Sequence, residues 1–268
     1  MSAAKYFFPI PIPILILLIS CARIDKKSTI AEAENNGVNS AELADLAEVY
    51  FETTPRTVPR IKQAAQLMAE AALHAPAGSK KRYDYLFKRA NYNIWLAVRE
   101  TDSGLITALA EDAVLSCNTA IQQDSSRVEG FYYRGIALGL IGQENKLKGR
   151  DAMFSLRKDA MTAIVIDSTF DYGGPYRLLG ALYLRAPGPP AGIGSKRKAL
   201  HYLKKARALA PNHPENILFY SEALLAQKEH VEAKKLLETL EEHMPHYGDA
   251  TDGVRWTALR KELERKLR

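Results

Sequence analysis

The sequence has few of the features that mark several protein classes. Its 268 residues include two cysteines, Cys21 and Cys117, which cannot build a disulfide scaffold. No apolar run reaches the ~20 residues that a membrane-spanning helix needs, so a polytopic membrane protein is excluded. The 37 basic and 31 acidic residues are spread along the chain, and the net charge of +6 is too diffuse to indicate nucleic-acid binding.

Catalytic and cofactor-binding motifs are also missing from the sequence. It contains no phosphate-binding G-x-x-x-x-G-K-[ST], no G-x-S-x-G, no H-E-x-x-H and no paired C-x-x-C. His243 and His246 flank Pro245, but no third ligand stands at a helical step that converges on them. Cys117 occupies an apolar position of a helical pattern, which favours a buried thiol. We therefore predict no enzymatic activity, no metal and no cofactor.

The N-terminal segment has the order of a secretory signal peptide, which we assign to residues 1–20. Lys5 is its only charge, an apolar stretch covers residues 6–19, and the small residue Ser20 follows. The junction Leu18-Ile19-Ser20-Cys21 resembles the lipobox of bacterial lipoproteins. That resemblance implies that Cys21 becomes the lipidated first residue. A plain secreted protein and an uncleaved anchor are the alternatives.

The segment after Cys21 helps to place the protein. In lipoproteins, Ala22 rather than Asp after the lipidated cysteine implies the outer membrane, with the protein facing the periplasm. Residues 21–40 are mostly polar and contain an Asn-Asn-Gly turn signal, so they predict a flexible tether.

From residue 41 onward, apolar residues recur at three- and four-residue steps, which predicts helices throughout. Near the C-terminus, small and large apolar residues repeat together with a proline at a spacing of 34 residues, the tetratricopeptide period. The matching positions are Ala199, Leu203, Ala206 and Pro211, followed by Ala233, Leu237, Leu240 and Pro245. Weaker copies of the same pattern precede them. The fold class that follows is an all-α, tetratricopeptide-like solenoid of helical hairpins with irregular repeats, over residues 41–268.

Packing explains the repeat. Small residues such as Gly180 and Ala199 let the two helices of a hairpin approach closely, and larger apolar residues fill the grooves. One hairpin cannot bury its own apolar face, so we expect roughly four to five hairpins to stack, closed by an amphipathic capping helix over residues 254–267. One hairpin is interrupted by the Pro- and Gly-rich residues 187–194, which predict a loop.

Residues 171–187 (DYGGPYRLLGALYLRAP), followed by Ser-Lys-Arg-Lys-Ala at 195–199, add a more specific resemblance. They resemble the lipoprotein T component associated with TRAP-type solute transporters. The resemblance implies a periplasmic accessory protein that associates with itself and with a periplasmic solute-binding protein. Its concave groove or a pore would bind a small ligand, and apolar ligands are among those that the resemblance implies. The alternative is a tetratricopeptide lipoprotein that serves as a scaffold for assembly of outer-membrane or envelope complexes.

Candidate contact residues follow from the helical register. Tyr132, Arg177 and Arg185 are predicted to project toward the groove, and tyrosine and arginine are enriched in binding surfaces. The interrupting loop has no role in stacking, and inserted loops on rigid scaffolds often carry binding contacts. We therefore predict a ligand- or partner-binding surface made by these three residues and the loop, which contributes Pro187, Pro189 and Gly192.

Overall fold

The computed structural model describes residues 39–267, apart from the side chains of Lys146 and Leu147. Over this range the chain is helical and has no strand, which confirms the predicted all-α class. The helices are α1 (Ser40–Glu52), α2 (Val58–His74), α3 (Lys80–Ala97), α4 (Ser103–Gln123), α5 (Val128–Glu144), α6 (Lys146–Asp167), α7 (Phe170–Arg185), α8 (Lys196–Leu209), α9 (Pro214–Ala226), α10 (His230–His243) and α11 (Ala250–Arg265), with a 3₁₀ turn at Met244–His246. The predicted signal peptide, Cys21 and residues 22–38 of the predicted tether lie outside the described residues.

The helices pack as five successive pairs, α1/α2, α3/α4, α5/α6, α7/α8 and α9/α10, followed by α11. The first helices of successive pairs also contact one another, from α3 through α5, α7 and α9 to α11. This is the arrangement of a helical-hairpin solenoid, in which the first helices form one common wall. The predicted tetratricopeptide-like fold is confirmed.

Two glycines show how closely the helices approach. A Cβ atom built on Gly180 of α7 would lie 2.5 Å from Leu203 Cγ of α8, within one hairpin. A Cβ atom on Gly135 of α5 would lie 2.7 Å from Leu178 Cδ2 of α7, between neighbouring hairpins. Both distances are far below van der Waals contact, so any side chain at these positions would push the helices apart.

Side-chain caps set several helix starts. Ser79, Asp102 and Ser195 each accept a hydrogen bond from a backbone N–H three residues ahead, at α3, α4 and α8. Asp249 accepts hydrogen bonds from the backbone N–H groups of Thr251 and Asp252. Because of that cap, α11 begins at Ala250, four residues before the predicted capping helix. Its Trp256 and Leu263 are buried against the last hairpin.

Candidate partner-binding surface

The first two predicted contact residues, Tyr132 and Arg177, are buried between α5, α7 and α9. Each is 4% exposed. Arg177 Nη2 donates to Tyr132 Oη at 3.2 Å, and the Tyr132 hydroxyl donates to the Asp171 carboxylate. Arg177 also pairs with Asp171 Oδ2 at 2.5 Å and with Glu215 Oε2 at 3.1 Å. The structure thus departs from the expectation that both side chains face the groove, because two carboxylates draw the guanidinium inward.

The network brings two arginines, two carboxyl groups and a histidine together, and burial shifts the pKa of several of them. Burial alone would raise the pKa of Glu215, but Arg177 and Arg255 outweigh burial and hold that pKa at about 2. Burial, with a smaller contribution from Arg177, lowers the pKa of His213 to about 4. Burial and the nearby Asp171 carboxylate raise the pKa of Tyr132 well above its ordinary value. At neutral pH the site therefore holds an ionised Glu215 between Arg177 and Arg255, beside a neutral imidazole. Burial raises the pKa of the neighbouring Asp171, against the opposing effect of Arg177.

The network supports an unusual stretch of backbone at the start of α7. Asp171, Tyr172 and Gly173 have φ angles of 48°, 57° and 82°, in the left-handed region that L side chains rarely adopt. Asn216 Nδ2 donates to the Tyr172 carbonyl at 2.8 Å, and Arg177 Nη1 donates to the Asp171 carbonyl at 3.3 Å. These hydrogen bonds hold a strained turn that would otherwise relax.

The strained turn presents an aromatic cluster that the sequence analysis did not identify. The Tyr172 side chain is 53% exposed and stacks on His213 with ring centroids 4.8 Å apart. Tyr247 packs edge-on against both rings, at 5.4 Å and 5.0 Å. The Asp-Tyr-Gly-Gly-Pro run was the available signal for the turn, but nothing in the sequence joined it to residues 213 and 247.

Arg185 is the last residue of α7, about 12 Å along the helix from Arg177 at 1.5 Å per residue. Its guanidinium lies over the Phe219 ring, 4.8 Å from the centroid, and pairs with Glu222 Oε2 at 2.9 Å. The side chain is still 40% exposed. The predicted contact residues therefore form two separate groups: Tyr132 with Arg177, and Arg185 with the loop.

The loop that follows Arg185 is exposed and ordered by hydrogen bonds of its own backbone. Pro187 and Pro189 are exposed. The Gly194 N–H donates to the Pro187 carbonyl at 2.7 Å, and the Ser195 N–H donates to the Tyr183 carbonyl at 2.8 Å. A Cβ atom on Gly192 would lie 2.5 Å from the Pro187 carbonyl oxygen, so this glycine lets the loop close on itself.

Other chemistry is sparse in the described part of the chain. Residues 39–267 bring together no group of three His, Cys, Asp or Glu side chains that could hold a metal ion. Cys117 is buried, as predicted, and burial raises the pKa of its thiol. None of the described helices is both long and apolar enough to cross a bilayer. The absence of enzymatic activity stays a prediction.

An open groove of about 730 Å³ runs between the end of α10 and α11, within residues 241–261. Its lining is mostly apolar and includes Met244, Pro245, Gly253 and Val254. His243 is the last residue of α10 and His246 ends the 3₁₀ turn that follows, and neither lines this groove.

Comparisons with known proteins agree with the geometry. The family model described as Tetratricopeptide repeat matches residues 197–251. TTC0263, a tetratricopeptide-repeat protein of Thermus thermophilus, is similar in structure with a TM-score of 0.61 and 17% identity, over 82% of this chain and 98% of that one. MamA is 16% identical over 70% of this chain and 91% of that one, with a TM-score of 0.47. No curated protein matches the sequence significantly. The described chain is a tetratricopeptide-type helical scaffold, an architecture suited to protein–protein interaction.

Proposed function

We propose that the protein is a lipid-anchored, periplasm-facing accessory component of a TRAP-type solute transport system, and that it binds the solute-binding protein. The lipobox-like Leu18-Ile19-Ser20-Cys21 supports the anchor, and Ala22 at the next position supports the outer-membrane location. The resemblance of residues 171–199 to the T component supports the transport role. It also supports self-association, which stays a prediction.

The observation that carries a binding role is the exposed surface formed by Arg185 and residues 187–194. The loop interrupts a hairpin whose stacking does not need it, yet its backbone is closed by internal hydrogen bonds. An ordered loop loses little conformational entropy when a partner binds. Arg185 offers donors to an acidic group, because its ion pair with Glu222 leaves the side chain partly exposed.

Tyr132 and Arg177 have a different part in this proposal. They hold α7 against α5 and α9, and thereby fix the helix that carries Arg185 at its far end. Gly192 permits the loop's closure, whereas Pro187 and Pro189 present its outer face.

Calorimetric titration of the purified protein with the solute-binding protein of a TRAP-type transporter from the same organism tests the proposal. We expect the wild type to bind and Arg185→Ala to weaken binding at least ~5-fold, the equivalent of ~1 kcal/mol. Arg89→Ala is the matched control, because Arg89 lies on α3, is partly exposed and pairs with Asp112 at 2.6 Å, and it should bind like the wild type. If the wild type does not bind, the transport role is refuted.

The apolar groove beside α11 favours a second candidate, a scaffold for assembly of outer-membrane or envelope complexes. Its volume and its small lining residues suit an extended or helical segment of a client protein. Peptides from outer-membrane proteins should then bind, and Gly253→Trp, which fills the groove, should abolish that binding. The two functions are distinguished by which variant loses binding. Arg185→Ala should weaken binding of the solute-binding protein, whereas Gly253→Trp should abolish binding of the outer-membrane peptides.

A further inference from the structure

Four charged side chains join the two ends of the described solenoid. Arg56, between α1 and α2, and Arg99, just after α3, face Asp249 and Asp252 at the start of α11. Arg99 Nη2 lies 2.6 Å from Asp252 Oδ1. Arg56 Nη1 lies 3.4 Å from Asp252 Oδ2 and 3.5 Å from Asp249 Oδ2. The two positive and two negative charges balance.

Each arginine is held in place by a neighbouring aromatic residue of the first two hairpins. Arg56 Nε donates to the Phe51 carbonyl at 2.7 Å, and its guanidinium lies 4.5 Å from the centroid of the Phe51 ring. Arg99 Nη1 donates to the Trp95 carbonyl at 3.2 Å, and its guanidinium lies 3.8 Å from the Trp95 ring. Side chains already held in this way lose little freedom when they form ion pairs.

The carboxylates on the other side are equally fixed. Asp249 is the N-cap of α11 and accepts backbone hydrogen bonds from that helix, while Asp252 lies in the first turn. The side chains of all four residues are at most 20% exposed. Ion pairs of this kind are screened less than those on an open surface.

The apolar cores of the two ends are separate. Among the described residues, the buried cluster at the first end is drawn from α1 to α4, and the cluster that includes α11 otherwise contains residues of α8 to α10. The two clusters have no buried residue in common. The ends can therefore part without exposing a shared core, and polar contacts govern whether they stay together.

We propose that Arg56, Arg99, Asp249 and Asp252 form an ionic clasp that closes the ends of the solenoid on each other and opens while the hairpins stay folded. Opening changes access to the wall formed by the first helices, so the clasp controls how large a partner segment that wall admits. The clasp is independent of the Arg185 surface, since none of its residues lies on α7 or the loop.

Electron-spin distance measurements between α1 and α11 test the clasp. The full chain carries Cys21→Ser, with spin labels at Val49→Cys and Val254→Cys, two exposed positions at 58% and 72%. Cys117 is buried and stays unlabelled. Raising the salt concentration from ~0.1 M to ~1 M shortens the Debye length from about 10 Å to about 3 Å. Because these side chains are at most 20% exposed, salt screens them only in part. We therefore expect a longer distance that is absent at low salt to grow in as salt is raised, with unchanged helicity by circular dichroism.

Two double variants isolate the four residues. Asp249→Asn with Asp252→Asn keeps a capping side chain but removes both negative charges. Arg56→Gln with Arg99→Gln removes the two positive charges of the clasp. Both should show the long distance at low salt. Asp102→Asn, the same change at the N-cap of α4, should keep the short distance. A short distance in every sample overturns the proposal, and so does a distance change that occurs only together with loss of helicity. If the variants do not fold, the salt titration of the parent decides.

Discussion

Replacing Gly180 with alanine tests the close packing of α7 on α8, on which the repeat register depends. The added Cβ atom would lie 2.5 Å and 2.8 Å from Leu203 Cγ and Cδ2, and 3.2 Å from the Leu203 backbone nitrogen. Since Leu203 is fully buried, its side chain cannot move away without displacing its neighbours. Overpacking of this kind typically costs ~1–3 kcal/mol.

A second effect acts in the opposite direction, so a control is needed. Alanine is favoured over glycine in helices by about 1 kcal/mol, which offsets part of the packing cost. Gly253 of α11 provides the matched control, because a Cβ atom there meets no atom within 4 Å. The difference between Gly180→Ala and Gly253→Ala isolates the clash with Leu203.

Urea denaturation followed by circular dichroism measures both variants. We expect Gly253→Ala to be as stable as the wild type or up to ~1 kcal/mol more stable. Gly180→Ala should lie ~1–3 kcal/mol below that control, and Gly180→Leu lower still. Equal stability of Gly180→Ala and Gly253→Ala would refute the assigned contact between α7 and α8.

Three further predictions concern the buried network and the anchor. Arg177→Met leaves Asp171 without its arginine and leaves Glu215 with Arg255 alone, so it should lower the free energy of unfolding by ~3 kcal/mol. Arg185→Met, at an exposed pair, should lower it by less than ~1 kcal/mol in the same urea assay. The pKa of His213 is lowered to about 4, so the unfolded chain binds a proton first, and stability should fall as the pH drops from about 6.5 toward 4. His213→Phe keeps the ring stack with Tyr172 and should flatten that part of the pH profile; an unchanged profile would contradict a buried neutral imidazole. Cys21→Ala should move the protein from the membrane fraction to the soluble fraction, because acyl chains contribute ~0.8 kcal/mol per buried CH₂; unchanged fractionation and an unchanged N-terminal peptide mass would contradict lipidation.

Local periodicity was sufficient to predict the hairpins. Gly180, Leu203 and Cys117 lie in the core where the spacing of small and large residues placed them, because helix packing depends on positions three and four residues apart. The loop after Arg185 was equally predictable, since its prolines and glycines cannot continue a helix.

Long-range polar contacts could not be predicted in the same way. The burial of Arg177 depends on Glu215 and Asn216, which arrive from the next hairpin, and a register alone places an arginine at the surface. The contact of Arg56 with Asp249 depends on how the stacked hairpins curve over nearly the whole chain. No pattern of neighbouring residues encodes that curvature.

Site-specific photo-crosslinking in the native envelope tests the proposed binding function most directly. A benzophenone amino acid placed at Pro189, on the exposed face of the loop, should crosslink to a TRAP-type solute-binding protein. The same amino acid at Leu115, an exposed position on α4 with 64% exposure, should not. Crosslinks to that protein from Leu115 but not from Pro189, or from neither position, would contradict the account.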